Sequence, residues 1–273
     1  MPLSMPCLIW YNQKDTRTDM RRVVVKVGSA VLTENDAIAL ERMRELVSFL
    51  IELRKDNEVI LVSSGAVAAG YTELRLDRSV LQNKQALAAI GQPILMNKYS
   101  KKFGVHDVLT AQVLVTAANL QRDDEIQRIK DTVDTLLSNG VVPIINENDA
   151  TSTKELVVGD NDQLSAYITK HTDSDLLIIL SDIDAYYDSD PRKNHDAKIL
   201  KIVDSINEEE LEKEATPHGA FATGGILTKL KAANYLLGHN IDMVLTSGYD
   251  LSDIRSLMLE NKHVGGTLFT KGG

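Results

Sequence analysis

Cysteine is nearly absent: the 273 residues hold one, Cys7. A single thiol builds neither a disulfide framework nor a Cys/His metal centre, and the chain suits a reducing cytoplasm. The six histidines are scattered, with no pair at metal-ligand spacing. Positive charge is in deficit, with 30 Lys and Arg against 39 Asp and Glu and a formal net charge of −9. No Lys/Arg stripe stands out, so a nucleic-acid partner is not expected, because backbone binding needs concentrated positive charge. No apolar run reaches the ~20 residues that span a bilayer, so no membrane partner is expected either. Low-complexity linkers and internal repeats are also missing. What remains is a composition of 43% apolar and 25% charged residues, ordinary for a globular protein. A chain of this length buries roughly three quarters of its unfolded surface and needs no staple. If such an acidic protein binds an anion, it must focus its few cations locally, which makes single lysines informative.

Residues 1–19 (MPLSMPCLIWYNQKDTRTD) show no helical or strand period and lack the basic flank of a secretory signal. They read as an N-terminal extension before Met20, with a packed arm as the alternative. From Arg21 strands and helices alternate. Val23 to Val25 is an unbroken β-branched run of the buried parallel type. Leu40, Met43, Leu46, Val47 and Leu50 recur at helical spacing within about 39–54. Further strands are predicted over about 59–62, 108–115, 141–145, 176–180 and 241–245, with a short hairpin strand at 155–158. Further helices are predicted over about 81–103, 123–137 and 227–237. Pro143 argues for an edge or irregular position in its strand. The βαβα order predicts an α/β fold, a three-layer αβα sandwich around a mostly parallel sheet. Ligands then bind at the carboxyl ends of the strands.

Small polar loops stand at those ends. In Lys26-Val27-Gly28-Ser29 a lysine leaves a buried strand beside a glycine, which suits phosphate, or is simply a solvated strand end. Ser63-Ser64-Gly65-Ala66 opens a helix N-terminus to an anion, or is only a tight turn. Asn146-Glu147-Asn148-Asp149 and Gly159-Asp160-Asn161-Asp162 crowd polar groups outside an apolar strand, which is costly unless they are solvated or used. An acid there suits an ammonium, and the amides suit a carboxylate. A metal is the competing reading, yet the second loop is too short for an EF-hand and no Glu holds its last ligand position. The glycines from Gly219 to Gly225 lead towards Lys229, which is too far on for the Walker pattern. A Gly-rich turn feeding a lysine-bearing helix still suits a phosphate, as it suits a flexible loop. His218 beside it reads as a loop residue rather than a ligand.

In order along the chain stand VVVKVGSAVLT, LVSSGAVAAG, KQALAAIGQ, VVPIINENDA, VGDNDQLSA, ILSDIDAYYDSDPR and ATGGILTKLKAA. Together they resemble the amino acid kinase family, and within it the glutamate 5-kinases, over most of residues 22–270. INENDA with VGDNDQLSA is the specific pair; KVGS and TGG with TK are shared more widely. The resemblance implies that Lys26 and Lys229 bracket the ATP phosphates and that Asp162 holds both ammonium groups, these three being catalytic. It implies nucleotide contacts from Gly28, Ser29, Ser181, Asp182, Thr223, Gly224, Gly225, Ile226, Leu227 and Thr228. Ser64, Asp149 and Asn161 resemble glutamate-binding residues, with Gly65, Ala66, Asn146 and Asp160 close by. No protein-held metal is implied; Mg²⁺ would be held mainly through the nucleotide. The implied reaction is ATP-dependent phosphorylation of the glutamate γ-carboxylate, the first step towards proline. Proline is then the expected inhibitor, glutamate-5-semialdehyde dehydrogenase a downstream partner, and the assembly a dimer or tetramer.

The same resemblance implies one kinase domain over 20–273, with an acceptor-side lobe at about 20–170 and a nucleotide-side lobe at about 171–273. Many bacterial members continue into a PUA domain, whereas this sequence stops soon after GTLFTKGG. The resemblance therefore does not carry over oligomeric or regulatory behaviour that depends on that domain. His218-Gly219-Ala220-Phe221 also departs from the smaller lead usual before TGG. The chemistry fits without a catalytic histidine: a γ-carboxylate with pKa near 4.3 is already ionised at neutral pH, so no base is required. The difficulty is an anion approaching a polyanion, which fixed positive charge relieves. Two alternatives stay open. One is a relative acting on acetylglutamate, aspartate, carbamate or a nucleoside monophosphate, although the acidic loops speak against a phosphate-bearing acceptor, which would want arginines. The other is a non-catalytic amino-acid sensor.

Overall fold

The computed structural model describes residues 20–151, 161–212 and 225–272. The extension at 1–19, the hairpin strand expected at 155–158, and Asp160, His218, Thr223 and Gly224 lie outside them. The first third of the chain forms strand β1 (Arg21–Val27), the one-turn helix α1 (Ser29–Leu32), the hairpin β2 (Thr33–Glu34) and β3 (Ala37–Ile38), helix α2 (Leu40–Leu53), β4 (Asn57–Val62), α3 (Ala66–Glu73) and α4 (Leu81–Gly104). Next come β5 (Thr110–Val115), α5 (Asp123–Ser138), β6 (Val142–Glu147), α6 (Asn161–His171) and β7 (Leu176–Ser181). The chain ends with β8 (Ile202–Val203), α7 (Glu208–Glu212), α8 (Gly225–Leu237), β9 (Asp242–Ser247), α9 (Ser252–Glu260) and β10 (Thr267–Phe269).

Eight strands form one sheet in the order β5-β6-β4-β1-β7-β9-β10-β8. Every neighbouring pair runs parallel except β9 with β10. The period of two explains the layers. Val23, Val25 and Val27 face a core with Phe49 and Leu50 of α2, Leu95 and Tyr99 of α4, and Ile254 of α9. Val24 faces the opposite core, with Val133 of α5, Leu164 of α6 and Leu236 of α8. Side chains alternate across a strand, so Lys26 lies on the same face as Val24, beneath α6 and α8. That alternation aims its ammonium at the two helices that matter below.

The three-layer expectation holds, and two local readings change. Pro143 does not lie in an edge strand, because β6 is flanked by β5 and β4. The ladder to β4 begins at Ile144, one residue after it, so the missing N–H of Pro143 interrupts no bond on that side. The helix expected from about Leu227 begins at Gly225, which makes Gly225 to Lys229 its first turn. The hairpin β2–β3 and the short strands β8 and β10 went unforeseen, being too brief to show a period. No helix among the described residues is long and apolar enough to cross a membrane.

One helix crossing positions the site. A Cβ on Gly91 of α4 would sit 1.8 Å from the Ala66 carbonyl, and one on Gly70 of α3 would sit 1.9 Å from the Leu87 carbonyl. The two backbones therefore touch, and α4 braces the first turn of α3. Gly65, just before that turn, has φ of 102°, a left-handed conformation that favours glycine.

Candidate active site

Lys26 leaves the end of β1, Asp162 stands in the first turn of α6, and Lys229 stands in the first turn of α8. Lys26 Nζ pairs with Asp162 Oδ1, and Lys229 Nζ lies 2.9 Å from Asp162 Oδ2. Lys229 also donates to the Gly225 carbonyl (2.9 Å), and Thr228 Oγ1 donates to Asp162 Oδ2 (2.9 Å). All three charges are buried, with exposures of 2%, 0% and 4% for Lys26, Asp162 and Lys229. Burial alone would raise the Asp162 pKa, but the charges and hydrogen bonds of both lysines outweigh it and pull the carboxyl down to about 2. One carboxylate thus holds two ammonium groups, leaving a net positive charge in a protein that is acidic as a whole.

Beside this cluster lies a pocket of about 400 Å³. Ser29, Ser64, Gly65, Ala66, Asn146, Asp149 and Asn161 line it, all of them singled out in the sequence. Asn161 and Asp162 are consecutive in the first turn of α6; the first lines the pocket and the second holds the lysines. Asn161 Nδ2 donates to the Ser63 carbonyl (3.0 Å), Ser64 Oγ (2.8 Å) and Asn146 Oδ1 (3.1 Å). Beneath, Ser63 Oγ shares a 2.9 Å hydrogen bond with the buried hydroxyl of Tyr99. Burial, followed by the charge of Glu147, raises the Asp149 pKa to about 6, against an opposing pull from Lys84.

Other expected residues fall differently. The Gly28 N–H donates to the Leu180 carbonyl at 3.0 Å, which commits it to the sheet rather than to a ligand. Ser181 and Asp182 stand at the end of β7, where Ser181 Oγ donates to Asp182 Oδ1 (3.0 Å) and accepts from the Ile183 N–H (3.2 Å). Gly225 and Thr228 join the lysine cluster, Leu227 is half-buried, and the Ile226 side chain belongs to the core. The pocket also contains Glu147, from the acidic loop the sequence pointed to, and Thr33 and Arg78, which it did not single out. Arg78 donates to Asp36 Oδ1 (2.9 Å) and lies 4.2 Å over the ring of Tyr71. This ties the segment after α3 to the hairpin β2–β3. No spacing pattern signals that contact. Gln92 and Gln112, which extend the amide network behind Asn146, were equally silent, although Gln92 closes the quoted KQALAAIGQ.

Residues 21–247 match the model of the amino acid kinase family. A glutamate 5-kinase of Wolinella succinogenes is 51% identical over 259 residues, covering 93% of this chain and 99% of that protein. A glutamate 5-kinase of Leishmania donovani is 47% identical over 255 residues, covering 93% and 97%. Among solved structures, a carbamate kinase from Giardia lamblia bound to AMP-PNP superposes with a TM-score of 0.62 at 16% identity, covering 92% of this chain and 98% of that one, a likeness of fold. The sheet order, the buried Lys–Asp–Lys cluster and these relatives agree: the chain belongs to the amino acid kinase family and, within it, to the glutamate 5-kinases.

Proposed function

We propose that the chain transfers the γ-phosphoryl group of ATP to the γ-carboxylate of L-glutamate, giving glutamyl 5-phosphate and ADP in the first step of proline synthesis. The observation that carries the chemistry is the Lys26–Asp162–Lys229 cluster, buried beside a pocket lined with the acids Glu147 and Asp149 and the amides Asn146 and Asn161. The acceptor oxygen is already anionic, so the step needs no proton transfer; it needs positive charge that is stronger in the transition state than in the ground state. Lys26 and Lys229 supply that charge on the transferring phosphoryl oxygens, and Asp162 keeps their ammonium groups converged. Ser29, Ser181, Asp182 and the first turn of α8 attend the nucleotide. Asp149 receives the substrate ammonium, helped by Asn161, and the first turn of α3 with Ser64 receives the α-carboxylate.

Among the described residues no group of three His, Cys, Asp or Glu forms a metal cluster. Mg²⁺ is proposed to be held mainly through the nucleotide phosphates. The substrate-side lobe, to about residue 170, and the nucleotide-side lobe after it meet at α6 in this reading. Proline shares the α-carboxylate of glutamate and carries a positive, though secondary and ring-bound, ammonium beside it, and is proposed to compete for Asp149 and Ser64. A homo-oligomer, a cytoplasmic location and hand-over of the labile acyl phosphate to a reductase complete the proposal.

Coupled ADP release with hydroxylamine trapping of the acyl phosphate tests it. Glutamate should turn over far faster than acetylglutamate, which lacks the ammonium that Asp149 is proposed to hold. Preference for acetylglutamate, aspartate or carbamate would overturn the assignment. In the same assay added proline should raise the half-saturating glutamate concentration, and a flat response would remove proline from the pocket.

A pH profile checks Asp149 separately. Its carboxyl must be ionised to pair with an ammonium, yet burial and Glu147 hold its pKa near 6 in the empty pocket. The KM for glutamate should therefore climb about tenfold per unit below that pH while the KM for ATP holds. The linkage sign is the reverse of an ordinary paired aspartate. The folded pKa exceeds the reference value of 3.8, so ionising Asp149 lowers the stability of the empty fold as pH rises through that window. A bound ammonium restores it. A glutamate KM that stays flat across the acid limb excludes Asp149 as the partner.

A further inference from the structure

We infer that Gln92 is a positioning residue for the acceptor pocket: from α4 it fixes the carboxamide of Asn146, and through it that of Asn161, so that Asn161 turns its carbonyl oxygen to the substrate ammonium. This rests on the reading of the pocket as an amino-acid site. The polarity of the amide chain follows from groups that cannot be reversed. The Glu147 backbone N–H, a donor only, lies 2.9 Å from Asn146 Oδ1, so that oxygen is the acceptor. Asn146 Nδ2 must then face the other way, and it donates to Gln92 Oε1 at 2.9 Å. Gln92 Nε2 in turn donates to Gln112 Oε1 at 3.0 Å. At the other end, the Ser63 carbonyl, an acceptor only, takes Asn161 Nδ2 at 3.0 Å. Three acceptors surround that single amide nitrogen, so the edge of Asn161 left for a ligand is its carbonyl.

Gln92 reaches this chain because of the residue before it. Gly91 lets the α4 backbone touch α3 at Ala66, which carries the next side chain inward to an exposure of 8%, against Asn146 at 1%. Without an acceptor at that place, the buried Asn146 Nδ2 has no partner and the carboxamide is free to rotate. Rotation would present an N–H to Asn161 Nδ2, a donor facing a donor, and the Asn161 orientation would fail with it.

Steady-state kinetics of wild type, Gln92→Leu and Gln92→Glu, with glutamate and with glutarate, test the inference. Glutarate has both carboxylates and no ammonium. Gln92→Leu should raise the KM for glutamate about tenfold or more, leave the KM for ATP within about twofold, and erode the preference for glutamate over glutarate by about tenfold. A loss of folding quality alone does not produce that selectivity. Gln92→Glu should recover to within about threefold of wild type, because burial keeps the carboxyl neutral and its C=O and O–H reproduce the acceptor and the donor. If Gln92→Leu fails to fold, Gln112→Leu on the exposed edge strand carries the same comparison with a smaller shift, about threefold. Unchanged glutamate preference in the folded variant, or equal shifts in both KM values, overturns the role of Gln92. Absence of glutamate turnover in wild type would instead overturn the functional reading beneath it.

Discussion

Lys229→Met should lower turnover at saturating substrates by about 10²–10³-fold, the usual loss when one preorganised charge stabiliser is removed. Methionine keeps most of the stem, so the change removes the ammonium and little volume. The same substitution should leave the melting temperature unchanged or raise it. In the absence of nucleotide the cluster carries two positive charges against one negative, all buried. Deleting Lys229 leaves Asp162 matched one to one by Lys26, still holding the Thr228 hydroxyl. Activity and stability are expected to move in opposite directions, the signature of a charge kept for the transition state rather than for folding. Turnover near the wild-type value would remove Lys229 from the chemistry.

Asp162→Asn reverses that stability argument. It strands two buried ammonium groups around a neutral amide, and removing one member of a buried ion cluster typically destabilises by about 3–5 kcal/mol. The expected result is a large drop in melting temperature that nucleotide largely restores, because a polyanion replaces the missing carboxylate between the lysines. The thermal shift on adding ATP should thus be larger for the variant than for wild type. Turnover should fall as well, since nothing then keeps the two ammonium groups converged. A variant that melts with wild type would show that the cluster is less desolvated than its geometry states. The pH sign also separates the two carboxylates. The Asp162 pKa is held down at about 2, so its stabilising contribution is full above the reference value of 3.8 and is lost only as pH falls through that low value. An acid limb near 6 in the glutamate KM therefore belongs to Asp149, not to Asp162.

The elements that matter most were legible because their signals are local. The run Val23 to Val25 marked β1, the spacing from Leu40 to Leu50 marked α2, and the boundaries of α4 and α5 fell within a residue of expectation. The polar loops at the strand ends were legible too, since a crowd of Asn and Asp after an apolar strand has few purely structural reasons. Specific roles were not. Lys26 and Lys229 stood out as lysines in Gly-containing loops that suit a phosphate, but their convergence on Asp162 came through the resemblance of their motifs, and no spacing joins the three. Gly28 looked like a phosphate contact until its N–H proved to be bonded to Leu180 of a strand far along the chain. Pro143 looked like an edge residue because its strand's neighbours could not be read. Arg78 and Gln92 gave no signal, because each matters only through side chains that other elements bring to it.

By itself the sequence determined the alternation of strands and helices, the buried character of the sheet and the polar chemistry at its rim. Those properties follow from period and composition, which neighbouring residues share. Only the tertiary structure decided that β1 lies between β4 and β7 and that Lys26 faces α6 and α8, which is how the carboxylate implied by the motif resemblance comes to sit between two lysines from opposite ends of the chain. Strand order and helix crossing depend on which surfaces bury each other best, and that free energy belongs to pairs of distant segments rather than to any one stretch of residues.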